Sequence, residues 1–234
     1  MEQFPKEDDF EFREHSCNLR FGMIKHVIWD WNGTLIDDAR LCVSIVNEIL
    51  SGNSLNRVSL SYYRENFCFP VRAYYEKIGL SCEGASYREL SERFISEYRK
   101  RWRTCRLQAN ALAVISSLNR AGIGQSVLSA SKSTDLKTFL DEFGLEKYIE
   151  LASGVSNVLA SGKIDISQKH LLNIGMKSTE VLLVGDTKHD EEISKHLSVN
   201  CMLFTGGHNS ANALRGCDSE LTDDLRQVMA RVLG

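Results

Sequence analysis

Three observations predict an α/β fold, a parallel sheet with helices on both faces and a helical block inserted after the first strand. Five short apolar runs in the 234-residue sequence read as strands. From the second run onward, a helical pattern separates each run from the next. Between the first two runs, residues 38 to 107 hold helical patterns but no convincing central strand.

The first run, Ile24–Trp29, ends in Asp30, and Trp31-Asn32-Gly33-Thr34 reads as a tight loop. A carboxylate on the turn after a strand sits where open α/β sheets place their chemistry. In the inserted block, Leu41, Ile45, Ile49 and Leu50 mark one helix. Tyr87–Trp102 marks another, with Leu90, Phe94, Ile95 and Tyr98 facing inward. Between them, Phe67–Tyr75 combines aromatics with Arg72, as helix packing or as an arginine that reads an anionic substrate. The block would lie over the carboxyl ends of the strands, where a lid is useful. Asp37 and Asp38 would fix the turn into it. The core resumes near residue 108 with helix Ala111–Arg120, which carries Leu112, Ile115 and Leu118 on one face and stops at Gly122. Strand Gln125–Ser129, helix Thr134–Phe143, strand Ile149–Ala152 and helix Ile166–Ile174 follow. Strand Val181–Val184, helix Asp190–Leu197 and strand Cys201–Thr205 come next. A last helix, capped by Thr222, runs through Val232. The domain organisation expected is a loose extension over 1–20, a core of 21–37 plus 108–234, and a cap over 38–107.

Composition narrows the function. Hydrophobic residues at 43% and charged residues at 25% fit a soluble globular chain. A net charge of −3 gives no electrostatic case for nucleic acid or an anionic membrane. No apolar run approaches the roughly 20 residues of a membrane span, and Met1 to Arg20 lacks a signal-peptide apolar segment. Seven cysteines without CxxC spacing read as free thiols in a reducing compartment, hence a cytoplasmic protein, monomer or homodimer.

The strand ends carry the chemistry. Ser129-Ala130-Ser131 closes the second strand with hydroxyls; Lys163, after Gly162, opens a helix with a cation; Gly185-Asp186-Thr187-Lys188-His189-Asp190 closes the fourth with two carboxylates. Phosphoryl transfer through an aspartyl intermediate uses such a set: a carboxylate nucleophile, hydroxyl and amide donors, a lysine, and acidic ligands for Mg²⁺.

With Asp30-x-Asn32-Gly33-Thr34-Leu35, Ser129, Lys163 and Gly185-Asp186-x-x-x-Asp190 in order, the chain resembles the haloacid dehalogenase superfamily of phosphohydrolases. It is most similar to the phosphoglycolate-phosphatase-like members with a helical cap. The resemblance implies a Rossmann-like core and a small phosphorylated substrate, such as phosphoglycolate or a sugar phosphate. It implies that Asp30 attacks phosphorus, and that Asp30, Asp186 and the backbone carbonyl of Asn32 hold Mg²⁺ with support from Asp190. Ser129 and Lys163 would bind the phosphoryl group, with Ser131 and Lys169 as the alternatives. Gly33, Thr34, Ala130 and Arg72 would complete substrate binding. Asn32 departs from the family pattern, which places there an aspartate that protonates the leaving oxygen and then activates water. A carboxamide does neither near neutral pH. Three readings follow: a phosphatase that borrows His189 or His208, a phosphonate hydrolase or phosphotransferase, and a phosphate-binding regulatory protein. Asn32→Asp is expected to restore proton transfer.

Overall fold

The computed structural model describes residues 23–156 and 163–234. The expected N-terminal extension, Cys17 and Gly162 lie outside the described residues. The chain runs β1 (His26–Trp29), β2 (Ile36–Asp37), α1 (Ala39–Gly52), α2 (Leu60–Asn66), α3 (Val71–Lys77) and α4 (Ser86–Arg101). It continues through β3 (Arg106–Leu107), α5 (Ala111–Arg120), β4 (Gly124–Lys132), α6 (Ser133–Glu142), β5 (Leu151–Val155) and α7 (Ile164–Ile174). The last elements are β6 (Val181–Gly185), α8 (Lys188–Leu197), β7 (Asn200–Phe204), α9 (Ala211–Leu214), β8 (Glu220–Thr222) and α10 (Arg226–Leu233).

Six strands form one parallel sheet in the order β5-β4-β1-β6-β7-β8. β1 lies inside it, with Trp29 beside Val127 of β4 and Val184 of β6. The chain builds outward from β1 on one side, then crosses to build on the other. The crevice between β1 and β6 is therefore the topological switch point where such sheets bind ligands. β1 is apolar throughout because both faces are covered. Val27 and Trp29 join the larger core cluster, and Ile28 packs with Leu128, Val181 and Leu183 on the other face.

The five expected strands are present within a few residues, β5 displaced toward Val155. The expectation for Thr222 is corrected. It ends a sixth strand, β8, its hydroxyl taken up by Asp224 N–H (3.1 Å) and Asp224 O (2.8 Å), and the last helix begins only at Arg226. α8 also begins two residues before Asp190.

Residues 39–101 are entirely helical where they are regular, as expected of the insertion, but α2 and α3 are additional. Ser59 caps α2 by accepting from Tyr62 N–H at 3.0 Å. The two junctions of the insertion pair with each other as an antiparallel ribbon, Ile36 opposite Leu107 and Asp37 opposite Arg106.

Candidate active site

Asp30 leaves the carboxyl end of β1, and its N–H donates to Val184 O across the crevice at 2.8 Å. Trp31 points the other way, stacked on Phe139 with centroids 5.9 Å apart, and this anchors the loop. Gly33 then turns the chain at a φ of 78°. The turn needs glycine twice over: positive φ is costly for other residues, and a Cβ here would lie 2.2 Å from Asp186 Oδ2.

Three buried carboxylates, Asp30, Asp186 and Asp190, bring oxygens within 4.8 Å of one another. Lys163, at the start of α7, lies against Asp30 Oδ1, sits 2.9 Å from Asp190 Oδ1 and donates to Leu128 O at 2.9 Å. Of the two candidate lysines, Lys163 stands among the carboxylates, whereas Lys169 is exposed on α7. Asp190 Oδ2 accepts from Asp186 N (3.1 Å), Thr187 N (2.9 Å) and Thr187 Oγ1 (2.7 Å). Asp190 therefore holds the β6–α8 turn in shape, reaching back from the first turn of its own helix. Asp186 accepts from Thr34 Oγ1 at 2.9 Å and from His208 N–H.

The charges are strongly coupled. Burial raises Asp30 to about 6 against the pull of Lys163, with Asp190 raising it further. Burial, aided by Asp30 and Asp190, holds Asp186 well above the carboxylate range, though His208 opposes it. Burial also penalises Asp190, but Lys163 and its hydrogen bonds outweigh this and lower it. Lys163 is raised because Asp190 and Asp30 outweigh its burial. Once ionised, three carboxylates facing one ammonium would carry two net negative charges, the charge one Mg²⁺ would balance, and hard oxygen donors are what Mg²⁺ takes. The donor set fits the ion.

A second hub was read from the sequence only as a turn. Asp38 stands at the N-terminus of α1 without capping it and is completely buried. Its Oδ2 accepts from Asn32 Nδ2 (2.7 Å) and Tyr98 OH (2.7 Å); its Oδ1 accepts from Gly33 N (3.0 Å) and faces His208 Nε2 at 3.1 Å. Burial opposes the charge on Asp38, but His208 and these donors prevail and lower it. The same pairing, against the cost of burial, raises His208 to about 9. His208 also meets Tyr63 OH at 2.9 Å. Tyr63 and Tyr98 come from the inserted helices α2 and α4, so Asp38 and His208 tie the insertion to the carboxyl end of the sheet.

The family model for haloacid dehalogenase-like hydrolases matches residues 27–204. The chain belongs to that family. No curated protein matches this hydrolase. Among solved structures, it is similar to one described as a predicted phosphatase from Clostridium acetobutylicum, at 19% identity and TM-score 0.74, covering 90% of this chain and 99% of that one. A haloacid dehalogenase-like family protein from Streptococcus pneumoniae matches at 15% identity and TM-score 0.77, covering 89% and 98%. One described as a predicted phosphoglycolate phosphatase from Haemophilus somnus matches at 16% identity and TM-score 0.70, covering 89% and 98%.

The hydrolase brings together Asp30, Asn32, Lys163, Asp186 and Asp190, as the sequence predicts. Other expectations are corrected. Thr34 and Gly33 face Asp186 and Asp38 rather than the cavity. Ala130 and Ser131 are on the cavity wall, and Ser131 Oγ donates to Asn32 Oδ1 at 2.8 Å. Ser129 lies buried behind them, accepting from Ser131 N at 3.0 Å. Arg72 does not reach the site. It lies exposed on α3, paired with Glu76 at 2.8 Å. Both histidines named as substitute bases have their nitrogens engaged. His189 Nδ1 meets Glu192 at 3.0 Å, and its Nε2 accepts from Lys163 N–H at 3.2 Å.

Proposed function

We propose that this hydrolase removes phosphate from a small phosphorylated compound with Mg²⁺ as cofactor and Asp30 as nucleophile. The observation that carries this reading is Asp30 at the switch point, held by Lys163 and clustered with Asp186 and Asp190. Asp30 and Asp186, with the backbone carbonyl of Asn32, would hold the ion, which when bound supplies charge for the phosphoryl oxygens. A free oxygen of Asp30 attacks phosphorus, the ester oxygen leaves with the bonding pair, and water later releases phosphate from the aspartyl group. Ala130, Ser131 and Lys163 face the transferring group, and Ser129 shapes their loop.

Asn32 favours a second reading of the turnover, with slow loss of phosphate from Asp30 and hence transfer to another acceptor. Its amide donates to Asp38 and Tyr98 and its oxygen accepts from Ser131, so the side chain is a fixed strut without acid or base function. The phosphonate reading has no support. The resemblance would give that reading a lysine from the insertion, and the two there, Lys77 and Lys100, are exposed and do not line the cavity.

The test is p-nitrophenyl phosphate turnover with and without Mg²⁺, with mass spectrometry for a phosphoenzyme. Turnover that needs Mg²⁺, disappears in Asp30→Asn and passes through phospho-Asp30 is expected. Wild-type activity in Asp30→Asn would remove the nucleophile assignment.

A further inference from the structure

A single cavity of about 140 Å³ runs from Asp30, Lys163 and Asp190 at one end to a roof formed by the inserted segment at the other. The roof is aromatic: Phe67, Phe69, Tyr74, Tyr75, Phe94 and Tyr98 all reach the wall. Their rings already meet edge to face, Phe67 with Phe69 at 5.5 Å and 75°, and Phe67 with Tyr74 at 5.6 Å and 69°. Phe69 also stacks on His189 at 4.7 Å.

Charge is distributed unevenly along the cavity. Among the described residues Lys163 is the only lysine or arginine on its wall, and that ammonium is committed to Asp30 and Asp190. His208 is held by Asp38 and Tyr63. Ser91 in the roof donates its hydroxyl to Tyr87 O at 2.8 Å. Among the described residues, a substrate carboxylate or second phosphate would find no free cation under the roof, and a sugar's several hydroxyls would find the unpartnered Tyr74 hydroxyl and little else. Buried polar groups left without partners are costly, whereas an aromatic ring gains from both burial and edge-to-face contact.

We infer that the leaving group of the substrate carries a single aromatic ring, seated among Phe67, Phe69, Tyr74, Tyr75, Phe94 and Tyr98. This specificity rests on the phosphohydrolase reading above and names its substrate class, phosphate monoesters of aryl-bearing alcohols or phenols. The phosphoryl group sits at the Asp30 end, and the ring replaces water against the roof.

The test compares benzyl phosphate, 2-phosphoglycolate and glucose 6-phosphate with the Mg²⁺-loaded wild-type enzyme. All three leave as alkoxides, so a preference reports the ring rather than leaving-group reactivity. Benzyl phosphate is expected to lead in kcat/KM by about ten-fold or more, mainly through KM, as burial of one ring implies. Phe94→Leu keeps apolar volume in a half-buried position but removes a ring from the wall, and Phe94→Ala removes more. In both, the ratio of benzyl phosphate to glucose 6-phosphate is expected to fall. Equal or better kcat/KM for phosphoglycolate or glucose 6-phosphate would overturn the inference while leaving the phosphohydrolase reading intact. Absence of turnover and of phospho-Asp30 with every ester, p-nitrophenyl phosphate included, would overturn both.

Discussion

Asn32 cannot be treated as a vacancy waiting for aspartate. Its Nδ2 lies 2.7 Å from Asp38 Oδ2 and donates to it, so Asn32→Asp sets two carboxylates against each other across one hydrogen bond. Carboxylates that close cannot both ionise, and one must take up a proton or lose its position. The gain in activity expected from the sequence is therefore replaced by its opposite. Asn32→Asp is expected to lower thermal stability by about 1–3 kcal/mol, the cost of a lost partner at a part-buried site. It is also expected to leave turnover of alkyl phosphates unchanged or reduced. A rise in alkyl phosphate turnover with an unchanged melting temperature would show that Asp38 does not govern this position. Gly33→Ala meets two penalties at once, positive φ and an approach of 2.2 Å to Asp186 Oδ2. Loss of Mg²⁺ binding, read by calorimetry, is expected even where the variant folds. Wild-type affinity would place Asp186 outside the ion's reach. At this scale the strand-end carboxylates were legible because each follows an apolar run. Asp38 was not, because an aspartate between a strand and a helix reads as a turn residue, and only its partners Tyr98 and His208, far along the chain, show otherwise.

The insertion is joined to the core by β2 and β3, whose pairing brings its entry and exit together. Gln108 strengthens the joint, its N–H donating to Leu35 O at 2.8 Å and its side chain to Gly33 O at 2.9 Å. A hinge of two short strands next to the Asp30 loop can transmit motion of the roof to the site. Latches oppose that motion. Tyr98 donates to Asp38, Tyr63 meets His208, and Asn209 Nδ2 donates to Phe67 O at 2.9 Å. Tyr98→Phe removes the group that both donates to Asp38 and accepts from Asn32 Nδ2 at 2.9 Å. Hydrogen exchange at residues 36–38 and 106–108 is expected to quicken in this variant, by the factor that a loss of about 1–2 kcal/mol sets, while β1 and β6 keep their protection. Equal exchange in variant and wild type would mean that Tyr98 does not latch the insertion. Elements with long apolar periodicity, such as α1, α4 and α5, were legible within a residue or two. β8 was missed because it is a three-residue edge strand, Glu220–Thr222, with one apolar side chain. α2 and α3 were missed because seven residues give too few turns to show a period.

Across the whole molecule, the sheet carries a buried polar thread that the chemistry does not use. His26 on β1 and His170 on α7 share Ser126 Oγ at 2.8 and 2.9 Å, and His170 also meets Ser153 Oγ at 2.7 Å. Burial lowers both imidazoles to about 4, and the nearest carboxylate to His26, on exposed Glu150, stands 3.9 Å away. An unfolded histidine titrates near 6.5. Between these values the unfolded chain binds protons that the native chain refuses, so stability is full above roughly pH 6.5 and falls as the pH drops toward 4. Each histidine accounts for about 3 kcal/mol over that span. Asp30 works in the opposite sense. Raised to about 6, it binds a proton more readily when folded and so offsets part of the loss below that pH. The histidine contribution is isolated by comparing wild type with His26→Asn/His170→Asn, which keeps polar partners for Ser126 without a titrating ring. Urea unfolding at pH 7.5, 6 and 5 is expected to show wild-type stability falling with acidity relative to the double variant, whose own stability holds or rises as Asp30 takes up its proton. Parallel pH profiles would mean that water or Glu150 reaches the imidazoles and that the thread is not sealed within the sheet.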